Sequence, residues 1–288
     1  MVVKIQNTKE IRSYLAKELK ELYREPEINS LANIIIKTIV GATRLHDLYF
    51  TQQPVSAMQS ARIYEICKKL KTGKPIQYIL GETIFYDCII RVNSGTLIPR
   101  SETEELVDLI IRENRGFRGK ILDIGSGSGC IAIALAANIP ASTIWGVDIS
   151  EDANRIAKEN AVINKVSVRF FKGDIFKFDT DMIENVDIIV SNPPYVRNSE
   201  KQFMSKNVLD FEPPISLFVD DSEPLVYYEA ILKVADNILT GGGRLYFEIN
   251  EAMGIPVTQL LKKKGFSNIE IIKDLNGKDR IVKGEKDV

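Results

Sequence analysis

The run Lys120-Ile121-Leu122-Asp123-Ile124 leads directly into Gly125-Ser126-Gly127-Ser128-Gly129 and then into Cys130-Ile131-Ala132-Ile133-Ala134-Leu135-Ala136-Ala137. A short apolar run ending in glycines reads as a buried strand, and the apolar stretch behind it as a helix. Three glycines in five positions allow a tight turn and let the backbone lie against a ligand. This is the first strand-turn-helix unit of an open α/β fold, which requires a mainly parallel sheet with helices on its faces. It is not the dinucleotide fingerprint, because the third glycine of that pattern would fall on Cys130 and instead comes one residue early, at Gly129. No Gly-x-x-x-x-Gly-Lys-Ser/Thr run occurs, so the phosphate-cradling loop is excluded as well.

A second apolar strand, Thr143-Ile144-Trp145-Gly146-Val147, ends in Asp148, 19 residues after Gly129. A carboxylate there can accept both hydroxyls of a ribose. An adenosine ligand without a pyrophosphate is implied, and S-adenosyl-L-methionine fits that description. Val166 to Phe171 reads as the third strand, followed by Gly173-Asp174-Ile175-Phe176, in which Asp174 can meet an adenine amino group and Ile175 its face. Val186 to Ser191 is the fourth strand. A helix over 223–239, capped by Gly241-Gly242-Gly243, and strands near 244–249, 268–273 and 279–283 bring the sheet to roughly seven, with the last two close enough to pair antiparallel. Ligand and substrate should meet at the carboxyl ends of the strands that carry Gly125, Asp148 and Asn192.

The fourth strand runs into Asn192-Pro193-Pro194-Tyr195. A planar NH2 group is a poor nucleophile because its lone pair is delocalised into the adjoining π system. Two acceptors on its hydrogens draw that density back. The Asn192 side-chain oxygen and the Pro193 carbonyl can supply them, since consecutive prolines stiffen the turn and offer no competing N–H. The ring of Tyr195 can cover the flat group. The plainer reading of these four residues is a proline-rich strand-to-helix turn with no chemistry. The glycine loop, the spaced acid and this tetrapeptide, in this order, argue for the chemistry instead.

Residues 1–75 carry helical periodicity, with apolar faces at Ile11, Tyr14, Leu15, Leu19 and Leu22, at Leu31, Ile34, Ile35 and Ile39, and at Ile63, Tyr64, Ile66, Cys67 and Leu70. A small helical bundle is expected there. Gly73-Lys74-Pro75 reads as a linker, and the texture from Ile76 to Val92 as β, so residues 76–96 are expected to form a β-hairpin linker and residues 97–288 the ligand-binding domain. Residues 1–75 hold 13 Lys and Arg against 7 Asp and Glu, an excess of six positive charges that leaves an excess of seven negative in the remainder of a chain of net charge −1. Such a bundle can dock an acidic partner; the plainer reading is solvated helix faces. Ser101, three residues before Glu104 and ahead of an apolar run, has the pattern of a capping box, while its polar neighbours are equally placed to meet an ammonium group of the ligand.

Several classes are set aside. With 44% apolar and 27% charged residues, no apolar stretch near the roughly 18 residues of a spanning helix, and Met1-Val2-Val3-Lys4-Ile5-Gln6 lacking an apolar signal core, a cytoplasmic protein with no membrane role is expected. Cys67, Cys88 and Cys130 are scattered and odd in number, which fits reduced thiols and no metal motif, and Cys130 reads as a small buried filler. The single histidine, His46, lies far from the glycine loop and reads as a surface or packing residue. Histidine triads and histidine-rich metal sites are therefore not expected in the main domain.

Taken together, Gly73-Lys74-Pro75-Ile76-Gln77-Tyr78-Ile79-Leu80-Gly81, Leu97-Ile98-Pro99-Arg100-Ser101-Glu102-Thr103-Glu104, the Asp123 to Gly129 loop, Ser191-Asn192-Pro193-Pro194-Tyr195, Phe211-Glu212-Pro213 and Asp279-Arg280-Ile281-Val282 resemble the release-factor glutamine methyltransferases, the PrmC/HemK family, over nearly the whole chain. The resemblance implies a helical N-terminal domain that recognises substrate, a β-hairpin, and a Rossmann-like seven-stranded class I methyltransferase domain. It implies transfer of methyl from S-adenosyl-L-methionine to the side-chain N5 of the glutamine in the Gly-Gly-Gln loop of peptide chain release factors. By that similarity Gly125, Ser126, Gly127, Ser128, Gly129, Asp148, Asp174, Ile175 and Asn192 hold the cofactor. Asn192, Pro193, Pro194 and Tyr195 hold the glutamine, with Asn192, Pro193 and Tyr195 catalytic. The chain departs from the family pattern at Phe211, at Ile175, where an aromatic is common, and at Glu248-Ile249-Asn250-Glu251-Ala252-Met253, whose role the pattern leaves open. Two rivals stand beside this reading. A nucleic-acid adenine N6-methyltransferase uses the same tetrapeptide, but the net charge of −1 and the lack of a Lys/Arg stripe argue against stable nucleic-acid binding. A cofactor-binding scaffold without catalysis would have no need of an intact Asn192 and Tyr195.

Overall fold

The computed structural model describes residues 5–42, 52–183 and 185–288, which group into two units, Met1–Leu80 with Lys206–Phe211 and Gly81–Ser205 with Glu212–Val288. His46 lies outside the described residues. Among the described residues no helix is long and apolar enough to cross a membrane.

The first unit is helical: α1 (Thr8–Leu19), α2 (Glu25–Ile35), prolonged by a π turn at Ile36–Val40, α3 (Ala57–Leu70) and α4 (Ile76–Leu80). Local chemistry sets its ends. The Asn7 side chain accepts from Glu10 N–H to cap α1, and Ser56 and Gln59 exchange hydrogen bonds in a capping box at α3. The predicted faces close on one core of Ile11, Leu15, Leu19, Leu31, Ile35, Ile63, Ile66 and Leu70, while Leu22, at the end of the first predicted face, is 58% exposed. Residues 76–80, expected as β, form a helical turn instead. Ile76 and Ile79 stand three apart, which on a helix points both into this same core.

The second unit opens with the hairpin β1 (Glu82–Phe85) and β2 (Cys88–Arg91), turned by Tyr86 and Asp87 at φ 44° and 63°. α5 (Ser101–Glu113) follows, and its N-cap is Arg100. The expected capping box does not form. The Glu104 carboxylate accepts from Tyr86 N–H at 2.7 Å, and the Ser101 hydroxyl donates to Glu102. Then come β3 (Lys120–Ile124), α6 (Cys130–Asn138), β4 (Thr143–Asp148), α7 (Glu151–Ile163), β5 (Arg169–Lys172), β6 (Val186–Ser191) and β7 (Val196–Arg197). α8 (Lys206–Phe211) belongs with the first unit, and β8 (Phe218–Val219), α9 (Val226–Ile238), β9 (Leu239–Glu248), α10 (Gly254–Lys263), β10 (Phe266–Lys273) and β11 (Asp279–Lys286) complete the second.

Seven strands form one sheet in the order β10-β11-β9-β6-β3-β4-β5, parallel from β9 to β5, with β11 antiparallel to both of its neighbours. This is the expected α/β sheet, including the antiparallel final pair. Period-two alternation sends Leu122 and Ile124 of β3 into a core shared with Tyr228, Ile231 and Leu232 of α9 and with Val257 and Leu261 of α10. Asp123 faces the other side, where α6 covers it and Ala132 N–H donates to its Oδ2. The Gly241-Gly242-Gly243 run is not a helix cap. α9 stops at Ile238, and the glycines lie inside β9, whose pairing with β6 slips between Val186 and Ile188 with Gly242 at φ 73°.

Candidate active site

Because β3, β4 and β6 are parallel neighbours, the turns that follow them emerge at one edge of the sheet. There they border a cavity of about 430 Å³, to which Gly125, Gly127, Asp148, Asp174, Ile175, Asn192, Pro193 and Pro194 all contribute. Ile124, Ile149, Phe176, Ile215, Tyr227 and Ile231 add apolar wall.

Three residues expected at the ligand do not border this cavity. Ser126 and Ser128 are 5% and 2% exposed. Gly129 serves packing: a Cβ on it would stand 2.8 Å from the Phe170 ring and 3.0 Å from the Ala157 methyl. Gly125 is different, since it is exposed at φ 74° and a Cβ there would meet nothing within 4 Å. The turn thus offers a ligand bare backbone at Gly125 and Gly127 and fills its inner side with the rest.

Asp148 is half-buried at the end of β4. Its Oδ2 accepts from Gly127 N–H and its Oδ1 from Ser150 N–H, both at 2.8 Å, which fixes the carboxylate and leaves each oxygen a second lone pair. Burial raises its pKa, and the two backbone N–H groups partly offset that. Asp174 Oδ1 accepts from Phe176 N–H at 3.0 Å. The rings of Phe176 and Tyr227 lie 5.2 Å apart on the cavity wall, so an aromatic surface stands one residue beyond Ile175. Phe176 directly follows the predicted Asp174-Ile175 pair, which was the available signal; Tyr227, on α9, had none. This set fits an adenosine-bearing cofactor: a carboxylate with free lone pairs for ribose, an aromatic and aliphatic slot for a base, and bare glycine backbone between them.

The Asn192 turn is held by residues that the sequence did not mark. Asn192 Nδ2 donates to Thr103 Oγ1 at 3.1 Å, Thr103 Oγ1 donates to Glu248 Oε2 at 2.7 Å, and Tyr195 OH donates to Glu248 Oε1 at 3.0 Å. Glu248 is 1% exposed, and burial raises its pKa despite hydrogen bonds from Thr103 and Tyr195 and the nearby Arg280 cation. Glu248 therefore has a structural place at this site, in the segment where the family pattern left its role open. Tyr195 is the one member of the tetrapeptide that does not border the cavity. Its ring packs partly on the sheet core with its hydroxyl tied to Glu248, an arrangement other than the expected cover over a flat group. Pro193 is buried and borders the cavity beside Asn192. Glu212, also buried, accepts from Arg100 Nη2 at 2.6 Å and from Ile98 N–H at 3.3 Å, which anchors the segment leading into α5 and Thr103. Desolvation pushes the Cys130 thiol up to about 12, which disfavours its thiolate.

Residues 103–210 match the family model described as methyltransferase small domain, and residues 10–81 the PrmC N-terminal domain. The release factor glutamine methyltransferase of Flavobacterium psychrophilum is 42% identical over 279 residues, spanning 96% of this chain and 98% of that protein. Its namesake from Bacteroides thetaiotaomicron is 41% identical over 94% of this chain and 98% of its own length, and that of Bacillus subtilis 32% identical over 87% and 89%. Among solved structures, a methyltransferase from Pyrococcus furiosus superposes with a TM-score of 0.53 at 17% identity, covering 81% of this chain and 100% of its own, a likeness of fold. Identity at this level over nearly the full length, with both family models in place, means that the chain belongs to the release factor glutamine methyltransferases.

Proposed function

We propose that this chain transfers the methyl group of S-adenosyl-L-methionine to the side-chain nitrogen N5 of the glutamine in the Gly-Gly-Gln loop of peptide chain release factors. The observation that carries the reading is the Asn192 amide at the cavity wall with its nitrogen committed to Thr103. Its oxygen is thereby left for an incoming N–H.

Gly125 and Gly127 would hold the cofactor's methionine portion, Asp148 its ribose, and Asp174 with Ile175, Phe176 and Tyr227 its base. When bound, that group supplies a methyl already activated by its sulfonium. The protein's part is positioning and polarisation. Asn192 Oδ1 and the Pro193 carbonyl accept the two hydrogens of the carboxamide, pull its lone pair out of conjugation and aim the nitrogen along one line. Tyr195, fixed through Glu248, keeps the turn from rotating.

The helical residues 1–75 are assigned to choosing the protein substrate, supported by their positive excess and by the match of residues 10–81 to a dedicated N-terminal domain. The hairpin within 76–96 is the connection, and 97–288 carry the chemistry. A cytosolic setting is consistent with three free cysteines.

Incubation with methyl-labelled cofactor and either a release factor or duplex DNA tests the assignment. Label on the release factor glutamine is expected. Label on DNA alone would transfer the site to adenine chemistry, and label on neither would leave only a scaffold.

A further inference from the structure

We infer that Thr103 and Glu248 are positioning residues that set the polarity of the Asn192 amide, so that its oxygen and not its nitrogen meets the acceptor. The inference rests on the function proposed above. Thr103 and Glu248 are 2% and 1% exposed, so water does not compete for their hydrogen bonds. A hydroxyl has one proton, and Thr103 gives it to Glu248 Oε2 at 2.7 Å. Only lone pairs then face Asn192, and the amide must turn its Nδ2 toward them, as it does at 3.1 Å. The direction is imposed from the carboxylate outward, because an ionised carboxylate can only accept. Its second oxygen is occupied by the Tyr195 hydroxyl, and the backbone carbonyl of Glu248 accepts from Tyr228 OH at 3.1 Å, which fixes the end of β9.

This polarity selects the substrate. An acceptor-lined site made of Asn192 Oδ1 and the Pro193 carbonyl takes an NH2 group and repels a carboxylate, so it distinguishes glutamine from glutamate. Reversing the amide would put a donor in place of one of the two acceptors and weaken that preference.

Protonation of Glu248 would undo the arrangement, since a carboxylic acid can donate to Thr103 and free that hydroxyl to turn. The groups facing Glu248 are Thr103 and Glu102 from α5, Cys130 from α6, Tyr195 behind β6, Tyr228 from α9 and Arg280 from β11. Burial is the largest influence and raises the carboxyl, Glu102 adds to it, and Thr103, Tyr195 and Arg280 oppose it. Turnover should therefore fall as pH drops through a value above the ordinary glutamate range.

The test uses the full chain in two arms. In the first, the Asn192 side-chain 15NH2 pair, assigned by its loss in Asn192→Asp, is followed by hydrogen exchange. Slow exchange is expected in the parent protein, fast exchange in Thr103→Val and slow exchange again in Thr103→Ser. In the second, Thr103→Val should lower kcat by about tenfold or more with little change in KM or in affinity for S-adenosylhomocysteine. Thr103→Ser should restore kcat, and Glu248→Gln should abolish the acid limb of the pH profile. An NH2 pair equally protected in Thr103→Val would overturn the inference. So would a kcat loss matched by loss of cofactor affinity and melting temperature and not rescued by serine. The exchange arm needs no turnover, so a chain that labelled no release factor would refute the assigned function separately from this polarity.

Discussion

Asn192 and Asp148 border the same cavity from parallel strands on either side of β3, yet their hydrogen bonds predict different losses. The Asn192 nitrogen is taken by Thr103, and in the proposed reaction its oxygen meets the acceptor, so Asn192→Ala should lower kcat by about a hundredfold or more, the scale of losing a preorganised polar partner. Affinity for S-adenosylhomocysteine, measured by calorimetry, should stay nearly unchanged; an equal loss of both would remove the division of labour. Asp148→Ala should do the opposite, weakening cofactor affinity first, because both carboxylate oxygens are pinned by backbone N–H groups with lone pairs left over for hydroxyls. Asp123 gives a prediction about stability. It is fully buried, its Oδ1 has no partner among the described residues, and desolvation pushes its carboxyl up to about 8. A carboxyl whose folded pKa lies above its unfolded value holds its proton more tightly when folded, so its contribution is intact at low pH and is lost as pH rises from about 4 to about 8. Urea unfolding of the cofactor-free protein should accordingly weaken over that window, by at most about 1.4 kcal/mol per pH unit from this group. In Asp123→Asn the decline should flatten, and an unchanged slope would show that the carboxyl is ionised throughout.

The glycine turn separates two jobs that its sequence runs together. Gly129 and Gly125 both have positive φ, which a side chain resists, but only at Gly129 would a Cβ also collide with Phe170 and Ala157. Gly129→Ala should therefore cost about 1–3 kcal/mol from overpacking, beyond the backbone strain that the two variants share. Gly125→Ala should lose less stability but more cofactor affinity, because Gly125 borders the cavity and a Cβ there meets no packed neighbour. Urea midpoints and S-adenosylhomocysteine titrations on the pair decide this, and identical rankings in both would mean that the turn has no inner and outer side. Local chemistry of this kind was legible in the sequence. The strand into Gly125, the acid at Asp148, the Asn192 turn and the antiparallel final pair all rest on residues close together in the chain. Thr103 and Glu248 were not legible as partners of Asn192, since one lies 89 residues from it and the Thr103–Glu248 bond spans 145, so only the packing of α5 against strand β9 joins them. The misread elements share a second cause. Gly241-Gly242-Gly243 and Ile76–Leu80 were assigned by local propensity, and pairing with β6 in the one case and burial in the helical core in the other overrode it.

At the scale of the molecule, the sheet explains why so few residues define so much chemistry: the parallel strands β3, β4 and β6 present their turns at one edge, and the segments that return to that edge need only supply side chains. The helical residues answer to a different constraint, since most of their charge stands on exposed faces above a closed apolar core. Exposed charges steer encounter more than they hold a complex, and salt screens them over a Debye length of about 8 Å at physiological ionic strength. If the excess of six positive charges in residues 1–75 serves substrate choice, kcat/KM for a release factor should fall as salt rises, while affinity for S-adenosylhomocysteine stays level. Reversal of two exposed side chains, Lys37→Glu with Arg62→Glu, should then raise KM for the release factor severalfold without altering kcat or the melting temperature, because neither lies in the core. A KM insensitive to both salt and reversal would make these helix faces merely solvated and would move recognition of the protein substrate to the residues around the cavity. Measuring KM and kcat separately is essential, since a substitution that disturbed the Asn192 turn would lower kcat, whereas one that weakened docking leaves the reacting geometry intact.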